Sequence, residues 1–388
     1  DAILKSFPNA KSVISIICKM NPHSVRSPLR SAANHEFHHT GYETDEICRN
    51  LAHKLLDLGV GAMNEPMAFP MEHSNYPMKA WIISHKKVAV AAGLGHMGIH
   101  RNVIHPKFGN FILLGSVVID QSIKELNTKP LDFNPCLECK LCVAACPVGA
   151  IGSDGYFNFS SCMNHNYREF MGGFIDWARA LTESSNMKEY KARFSDGETV
   201  SLWQSLTYGA NYKAAYCMAV CPAGEDIIGQ YKDSKRNFMD SYLKPLTEKE
   251  EIIYAAKGTD AEVHVKNKFP NKQIKIVHSS LAANSIESFL FGSKLIFQPG
   301  KAKGISLRVH FNFTGKESTK ATYIVQNQKL EIVMEHQGTP DLVITAKDKD
   351  WVRFLNKDLN LFWALISRKI KTKGNLKHFQ NFGKMFPT

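Results

Sequence analysis

Seven of the nine cysteines fall into two sets whose spacing suits iron. The first set reads Cys136-Leu-Glu-Cys139-Lys-Leu-Cys142-Val-Ala-Ala-Cys146-Pro147. In a C-x2-C-x2-C-x3-C-P run, three thiolates on a tight turn grip one iron–sulfur cubane, and the fourth serves a neighbouring cluster. Zinc needs only two such pairs, and a disulfide framework spreads its cysteines through a short secreted chain. The second set comes in two pieces: Cys162 in Ser-Ser-Cys-Met-Asn-His, then Tyr216-Cys217-Met-Ala-Val-Cys221-Pro222. Because Cys217-x3-Cys221-Pro repeats the end of the first run, Cys136, Cys139, Cys142 and Cys221 are expected to hold a 4Fe–4S cluster, and Cys146, Cys162 and Cys217 a second one. That second site is one thiolate short. Ala214 stands where a further cysteine would complete the motif. The second cluster is therefore expected either as 4Fe–4S with a non-standard ligand or as 3Fe–4S. Cys18, Cys48 and His165 are alternatives for the missing position, although a histidine near a cluster more often donates a hydrogen bond to it.

These cysteines follow an α/β pattern. Residues 11–20 form a short β-branched run closed by Asn21-Pro22 and read as a buried strand, with Cys18 in the core. A polar stretch with His35, His38 and His39 reads as a surface loop, since no carboxylate or cysteine stands at matching metal-ligand spacing. A helix is predicted over 44–58 from Ile47, Leu51, Leu55 and Leu58, with Cys48 packed in the core and Gly59 as the stop. The segment Gly93-Leu-Gly95-His-Met-Gly98 is a literal G-x-G-x-x-G, and Asp120 lies about 20 residues beyond it, as in a nicotinamide fingerprint. Pro106 and Gly109 interrupt the chain too soon for the sustained helix that such a turn must open. The glycines thus read as sites of close approach or tight turning, and Asp120 as the end of a buried strand over 111–120. A polar, helical insertion is expected around 176–193.

The length of 388 residues with 44% hydrophobic content supports two or three cored domains rather than a stapled scaffold. The cysteine usage fits a reducing cytoplasm. No apolar run reaches the roughly 18 residues of a membrane span, and residues 1–6 lack the apolar core of a signal peptide. A net charge of +12 suits an anionic partner such as RNA, an acidic redox protein or a lipid surface, and equally suits a solvated basic surface.

From about residue 244 the chain becomes charged and reads as a linker over 244–275. Beyond it, 307–314 alternates at period two, 322–334 reads as a hairpin turned at Asn327-Gln328, and 342–346 as a further strand. Helices are predicted near 349–355 and 361–366, and Arg368, Lys369, Lys371 and Lys373 form a basic tail. This is an α+β module with its own core.

Two resemblances follow. Residues 8–230, with Ala91-Ala-Gly-Leu-Gly-His-Met-Gly98, Ile104-His-Pro-Lys-Phe-Gly109, the strand ending at Asp120 and then the two cysteine sets, resemble the epoxyqueuosine reductase and reductive dehalogenase superfamily. That resemblance implies a nitroreductase-like α/β core over 1–130 and a two-cluster ferredoxin-like insert over 131–243. It also implies electron relay to a base-off cobalamin and reduction of an epoxide or a carbon–halogen bond. An acidic D-x-x-P-type stretch ahead of the glycine signature is replaced here by Ile82-Ile-Ser-His-Lys-Lys87. Residues 276–388, through Gly338-Thr-Pro340-Asp341, the following Lys-Asp-Lys-Asp-Trp-Val and Lys373-Gly374-Asn-Leu, resemble a sterol-carrier-protein-2 (SCP2) domain, which implies an α+β fold with an apolar tunnel.

Together they point to an iron–sulfur reductase supplied with low-potential electrons by a redox partner and acting on an apolar or lipid-like substrate. The alternatives are a tRNA epoxyqueuosine reductase and a non-catalytic electron-transfer protein with a lipid-binding domain. Gly93, Gly95, Gly98 and His105 are the expected cofactor contacts. His85, Lys86, His96, His100 and Arg101 are the candidate proton donors or anion contacts.

Overall fold

The structure is a computed structural model that describes residues 2–72, 78, 81–125, 129–136, 138–279 and 281–387. Its first layer is a three-stranded antiparallel sheet ordered β1 (Ser12–Lys19), β5 (Ile112–Ile119), β2 (Ala62–Asn64). Ser12 pairs with Ile119 and Lys19 with Ile112, so the two β-branched runs expected as strands lie side by side.

A long helix, α1 (Arg30–Asp57), covers this sheet. It begins well before residue 44, so His35, His38 and His39 are helical rather than on a loop. Ala33, Phe37, Gly41, Thr44, Cys48 and Ala52 carry its buried period, whereas Ile47 and Leu58 are exposed. Small buried residues let the helix approach the strands closely: a Cβ at Gly115 would overlap the Cys48 sulfur.

The glycine segment is a helix followed by a tight hairpin. Helix α2 (His85–Ala91) leads into β3 (His96–Met97) and β4 (Val103–Ile104), which pair antiparallel. A helix precedes the glycines, the reverse of the strand-then-helix order that a dinucleotide fingerprint needs. Asp120 accepts the Gly61 N–H at 3.0 Å, a strand-end role.

The cysteine region is built from short helices: α3 (Leu141–Ala145), α4 (Phe159–His165), α5 (Gly172–Glu183), α6 (Met187–Arg193), α7 (Asp196–Tyr208), α8 (Tyr216–Ala219) and α9 (Glu225–Asp233). The helical insertion predicted around 176–193 is α5 and α6. Ser195 and Glu198 close a reciprocal capping box that starts α7.

The stretch 244–275, expected as a linker, is folded. Strands β6 (Ile252–Ala256) and β7 (Gln273–Val277) pair in parallel around α10 (Asp260–Lys268), burying Ile253, Ala255 and Val265 against Cys142, Cys146 and Val220. Its charge is partly internal, so a charged composition there does not mean an exposed linker. The Lys272 ammonium is buried and donates to Leu246 O, Lys249 O and Glu251 Oε1 at 2.7 to 3.0 Å.

The C-terminal region holds α11 (Ile286–Ile296), β8 (Leu307–Thr314), β9 (Thr319–Gln326), β10 (Lys329–Met334), β11 (Leu342–Lys347), α12 (Asp348–Leu355), α13 (Leu361–Ile366), β12 (Ile370–Gly374) and α14 (Leu376–Met385). Its sheet order is β10-β9-β8-β11-β12, with β8 and β11 parallel. Asn327 and Gln328 both sit in the left-handed region, at φ 51° and 59°, as a two-residue hairpin turn requires. The basic segment read as a tail is strand β12 at the sheet edge, antiparallel to β11. Phe289, Phe311, Tyr323 and Trp351 interlock at the centre of the core.

The two halves share packing. Met163 on α4, one residue after Cys162, belongs to the C-terminal core, and Phe159, Tyr167 and Met171 pack against it. Tyr156 Oη donates to Phe297 O at 3.3 Å.

Candidate iron–sulfur site

Each cysteine is placed by a short helix or its exit. Cys142 lies on α3 and Cys146 at its end; Cys162 lies on α4, whose first turn is capped by the Asn158 side chain accepting from Ser161 N at 3.0 Å. Cys217 lies on α8, which starts from Ala215 in a left-handed conformation, and Cys221 follows at its exit. Helices α3 and α8 pack on one another, bringing the first run against the second.

The thiols lie close together: Cys139, Cys142, Cys146, Cys162 and Cys217 share one packed cluster, and Cys136 packs with Cys221. Cys142 is coupled to Cys217, Cys221, Cys139 and Cys136, and Cys221 to Cys139 and Cys136. Cys162 is coupled to Cys146 and Cys217, and Cys217 to Cys146 and, more weakly, to Cys221. Burial, followed by repulsion among neighbours, pushes the Cys217 thiol up to about 12 and the Cys142 thiol up strongly. Without a cation such buried thiols stay protonated, and it is the positive charge of a metal core that displaces their protons. Among the described residues, no three His, Cys, Asp or Glu side chains already converge on a single metal-ion position.

The backbone suits thiolate sulfur. Ala150 N donates to Cys146 Sγ at 3.2 Å, with Val148, Ile151 and Gly149 N–H groups also directed at it. Ala223 N–H and the Asn110 side chain serve Cys221, and Leu141 N–H and the Tyr231 hydroxyl serve Cys139. Such hydrogen bonds to sulfur are what tune a cluster's potential. The residues present fit iron–sulfur clusters.

Ala214 is buried in the same core as Cys146, and its N–H donates to Asn166 Oδ1 at 3.0 Å. Of the candidates for the missing ligand, Cys18 and Cys48 lie on the three-stranded sheet and its covering helix, whereas His165 lies on α4 with Cys162, its Nε2 buried and unpartnered among the described residues. Cys18 pairs with Thr44, and Cys48 is buried on the α1 face of the sheet. His165 packs on Tyr254, its Nδ1 accepting from Tyr254 N at 3.4 Å; burial followed by the nearby cations Lys213, Lys272 and Arg168 holds it down at about 3.

The loop residues divide. Lys86 donates to Arg101 O at 2.8 Å and Asn102 Oδ1 at 2.9 Å; burial lowers its pKa, opposed by Cys217 and Cys162. His100 stands beside it, buried, its pKa lowered to about 4 by burial and then by Lys86, with Nε2 unpartnered among the described residues. The structure thus brings Lys86 towards Cys162 and Cys217, with His100 beside Lys86. His85 is structural, its ring nitrogens engaging Ser116 Oγ at 2.9 Å and Pro66 O at 3.1 Å. The Arg101 guanidinium donates to Gly155 O, and His96 lies on β3. His105 Nδ1 accepts from Lys107 N at 3.1 Å and Phe108 N at 3.3 Å.

The glycines serve the chain itself. A Cβ at Gly95 would overlap Ile104 O, and one at Gly98 would crowd His100 and Ile104. Gly93 takes a left-handed turn at φ 72°. Gly109 abuts Ala223 O, Glu225 N donates to Pro106 O and Asp226 N to Lys107 O, so the 105–109 loop braces the exit of Cys221.

Two features were not read from sequence. Glu65 accepts the N–H groups of Ile82 at 2.6 Å and Ile83 at 2.5 Å, so a carboxylate does hold the stretch that lacks its own acid. The coupling of Lys86 to the cysteines was equally invisible, because 76 positions separate Lys86 from Cys162 and no spacing rule links them.

Comparison with known proteins adds to this arrangement of cysteines. The chain is similar to epoxyqueuosine reductases. That of Staphylococcus aureus is 30% identical over 234 residues, covering 59% of this chain and 52% of the relative. That of Cellulophaga algicola is 25% identical over 184 residues, covering 44% and 55%. The chain spans about half the length of these curated epoxyqueuosine reductases. Residues 297–387 match the SCP-2 sterol transfer family. Among solved structures, sterol carrier protein 2 like 2 from Aedes aegypti is 18% identical, covering 26% of this chain and 90% of that one with a TM-score of 0.22. Sterol carrier protein 2 from Yarrowia lipolytica is 12% identical, covering 28% and 99%, at 0.23. An epoxyqueuosine-reductase-like region is therefore fused to an SCP2-like one.

Proposed function

We propose that the chain is an iron–sulfur oxidoreductase of the epoxyqueuosine reductase kind, acting on the epoxide of a modified tRNA nucleoside. The observation that carries it is the gathering of all seven cysteines by the fold, with Cys139, Cys142, Cys146, Cys162 and Cys217 in one packed cluster and Cys136 against Cys221 in the next. In this reading 1–130 is a nitroreductase-like core and 131–243 a ferredoxin-like insert, with β6, α10 and β7 completing the wall behind the cysteines. Cys136, Cys139, Cys142 and Cys221 hold a 4Fe–4S cluster, and Cys146, Cys162 and Cys217 a second one, as 3Fe–4S or as 4Fe–4S with a non-cysteine ligand. Such clusters supply electrons one at a time.

The chain's own groups do the rest. N–H donors around Cys146 and Cys221 stabilise negative charge on sulfur, and Lys86 Nζ, held by Arg101 O and Asn102 Oδ1, offers N–H groups on the side of Cys162 and Cys217. Reduction of an epoxide to an alkene takes two electrons and two protons and releases water. A redox partner supplies the low-potential electrons, and Lys86 Nζ is the proton-bearing group best placed near the cysteines. Cobalamin enters through the resemblance alone. Gly95 and Gly98 are filled in by the chain itself and His105 is engaged by its own loop, so these residues make no cradle for a corrinoid, and no step is assigned to one.

The test is complementation. In a bacterium lacking its own epoxyqueuosine reductase, the full chain should restore queuosine in digested tRNA, and Lys86→Ala should restore it more slowly. Persistence of epoxyqueuosine, with iron and sulfide retained in the purified protein, contradicts the tRNA substrate. A second reading, reduction of an apolar or lipid-like molecule, is favoured by a cavity of about 260 Å³ in the C-terminal region, lined by Phe289, Trp351, Phe379 and Phe382.

A further inference from the structure

Helix α13 has two unlike faces. Leu361, Ala364 and Leu365 pack on the C-terminal core, while Phe362, Trp363 and Ile366 are 65%, 63% and 58% exposed. Three large apolar side chains on one turn, all turned to water, call for a covering surface. The chain that follows says which kind. Residues 361–388 contain no Asp or Glu, and Arg368, Lys369, Lys371, Lys373 and Lys377 are all exposed. None of these five forms an ion pair among the described residues. Leu376, at the start of α14, adds a further exposed apolar group.

We propose that the α13–β12 edge is a docking surface for an anionic lipid bilayer. Phe362, Trp363 and Ile366 enter the interfacial layer, and Arg368, Lys369, Lys371 and Lys373 meet headgroup phosphates. An aromatic and aliphatic tip on a helix packed against a cation-rich strand is the combination that binds such a surface, because apolar burial and attraction to anionic lipid act together. The placement is useful: α13 packs on α12, and α12 and α14 wall the cavity through Trp351, Phe354, Phe379 and Phe382. Docking would set that cavity at the bilayer, where an apolar ligand can pass between the two.

A bland account of the lysines is edge protection, since β12 is the last strand of its sheet and lysines there discourage strand pairing. It leaves Phe362, Trp363 and Ile366 unexplained. RNA would also attract the cations, but an aliphatic Ile366 on the same tip fits hydrocarbon rather than a base. The molecule carries its own control. Helix α7 exposes Val200, Trp203, Leu206 and Tyr208, yet Asp196–Tyr208 contains two acids and no Lys or Arg. The bilayer surface stands whatever the clusters reduce.

The experiment is flotation of the full, cluster-loaded chain with vesicles of phosphatidylcholine, with and without phosphatidylglycerol. Binding is expected only with phosphatidylglycerol. It should weaken about tenfold or more in Phe362→Ser/Trp363→Ser and in Lys369→Glu/Lys371→Glu/Lys373→Glu. Trp203→Ser/Tyr208→Ser should bind as the unaltered chain does. These positions are exposed, and retained iron content together with an unchanged thermal melt checks that each variant is folded. Unweakened vesicle binding by the Phe362/Trp363 variant would overturn the proposal. So would binding of tRNA in place of vesicles with loss only in the lysine variant, which would assign the surface to nucleic acid; self-association of the lysine variant with vesicle binding intact would leave edge protection as the role.

Discussion

Cys142→Ser should strip the first site of its cluster, lowering the iron bound per chain by about four atoms and leaving the second site's iron in place. Cys142 is buried on α3 and shares a packed cluster with Cys139, while Cys136 and Cys221 pack together beside it. A serine hydroxyl is harder, less acidic and shorter in reach than a thiol, and softness is what selects iron–sulfur chemistry. Cys18→Ser is the matched control. Cys18 is buried on β1 and hydrogen-bonded with Thr44, remote from both groups, so its loss should leave iron unchanged. Iron and sulfide assays on anaerobically prepared protein check both. Equal iron in Cys142→Ser and the unaltered chain would remove Cys142 from the ligand set.

Trp351→Ala should destabilise the C-terminal region by about 3–5 kcal/mol, the usual range for truncating a buried large aromatic. Trp351 is 1% exposed, with ring centroids of Phe354, Phe289, Phe311 and Phe313 at 5.3, 5.4, 5.6 and 5.8 Å. It also lines the cavity, so truncation enlarges a void that already exists. For a unit of the size of residues 297–387, that loss corresponds to a fall of at least about 10 °C in melting temperature. Trp351→Phe should cost less, because it keeps a ring in the cluster and removes an indole N–H that has no partner among the described residues. Calorimetry of both variants is the check, and a Trp351→Ala melt within a degree or two of the unaltered chain would contradict the packing.

What the sequence made legible follows from how much each feature is dictated locally. Strands β8 to β11 were readable because one face is buried: Val309, Phe311 and Phe313 alternate with half-exposed Arg308 and Asn312. Helices α12 and α13 fell where periodicity placed them. The cysteine runs stand out because ligand spacing is set by the metal chemistry rather than by the fold around it.

The first half of α1 stayed hidden because Phe37 is its one large apolar buried residue, the other buried positions being Ala33, Asn34, Thr40, Gly41 and Thr44, which carry little hydrophobic signal. The charged run entering 244–275 concealed a folded unit, since the Lys272 charge is neutralised internally by Glu251 and two carbonyls. The basic residues after Ser367 looked like a tail because an edge strand needs only one partner and reads weakly. At the site itself, the nearness of Lys86 to the cysteines arises from tertiary packing that no local spacing encodes.

Ala214 holds the position that decides what the second site is. Its N–H is tied to Asn166 and it is buried with Cys146, so a cysteine side chain there would start from the same core. Mössbauer and electron paramagnetic resonance spectra of the anaerobic protein, compared with Ala214→Cys, test the two-site account most directly. The unaltered chain should carry two clusters, one cubane with all-cysteine ligation and one with three cysteines, seen as an oxidised three-iron signal or as a cubane with one distinct iron. Ala214→Cys should convert the second to an ordinary four-cysteine cubane. A single cluster in the unaltered chain, or two identical four-cysteine cubanes before the substitution, would contradict the account.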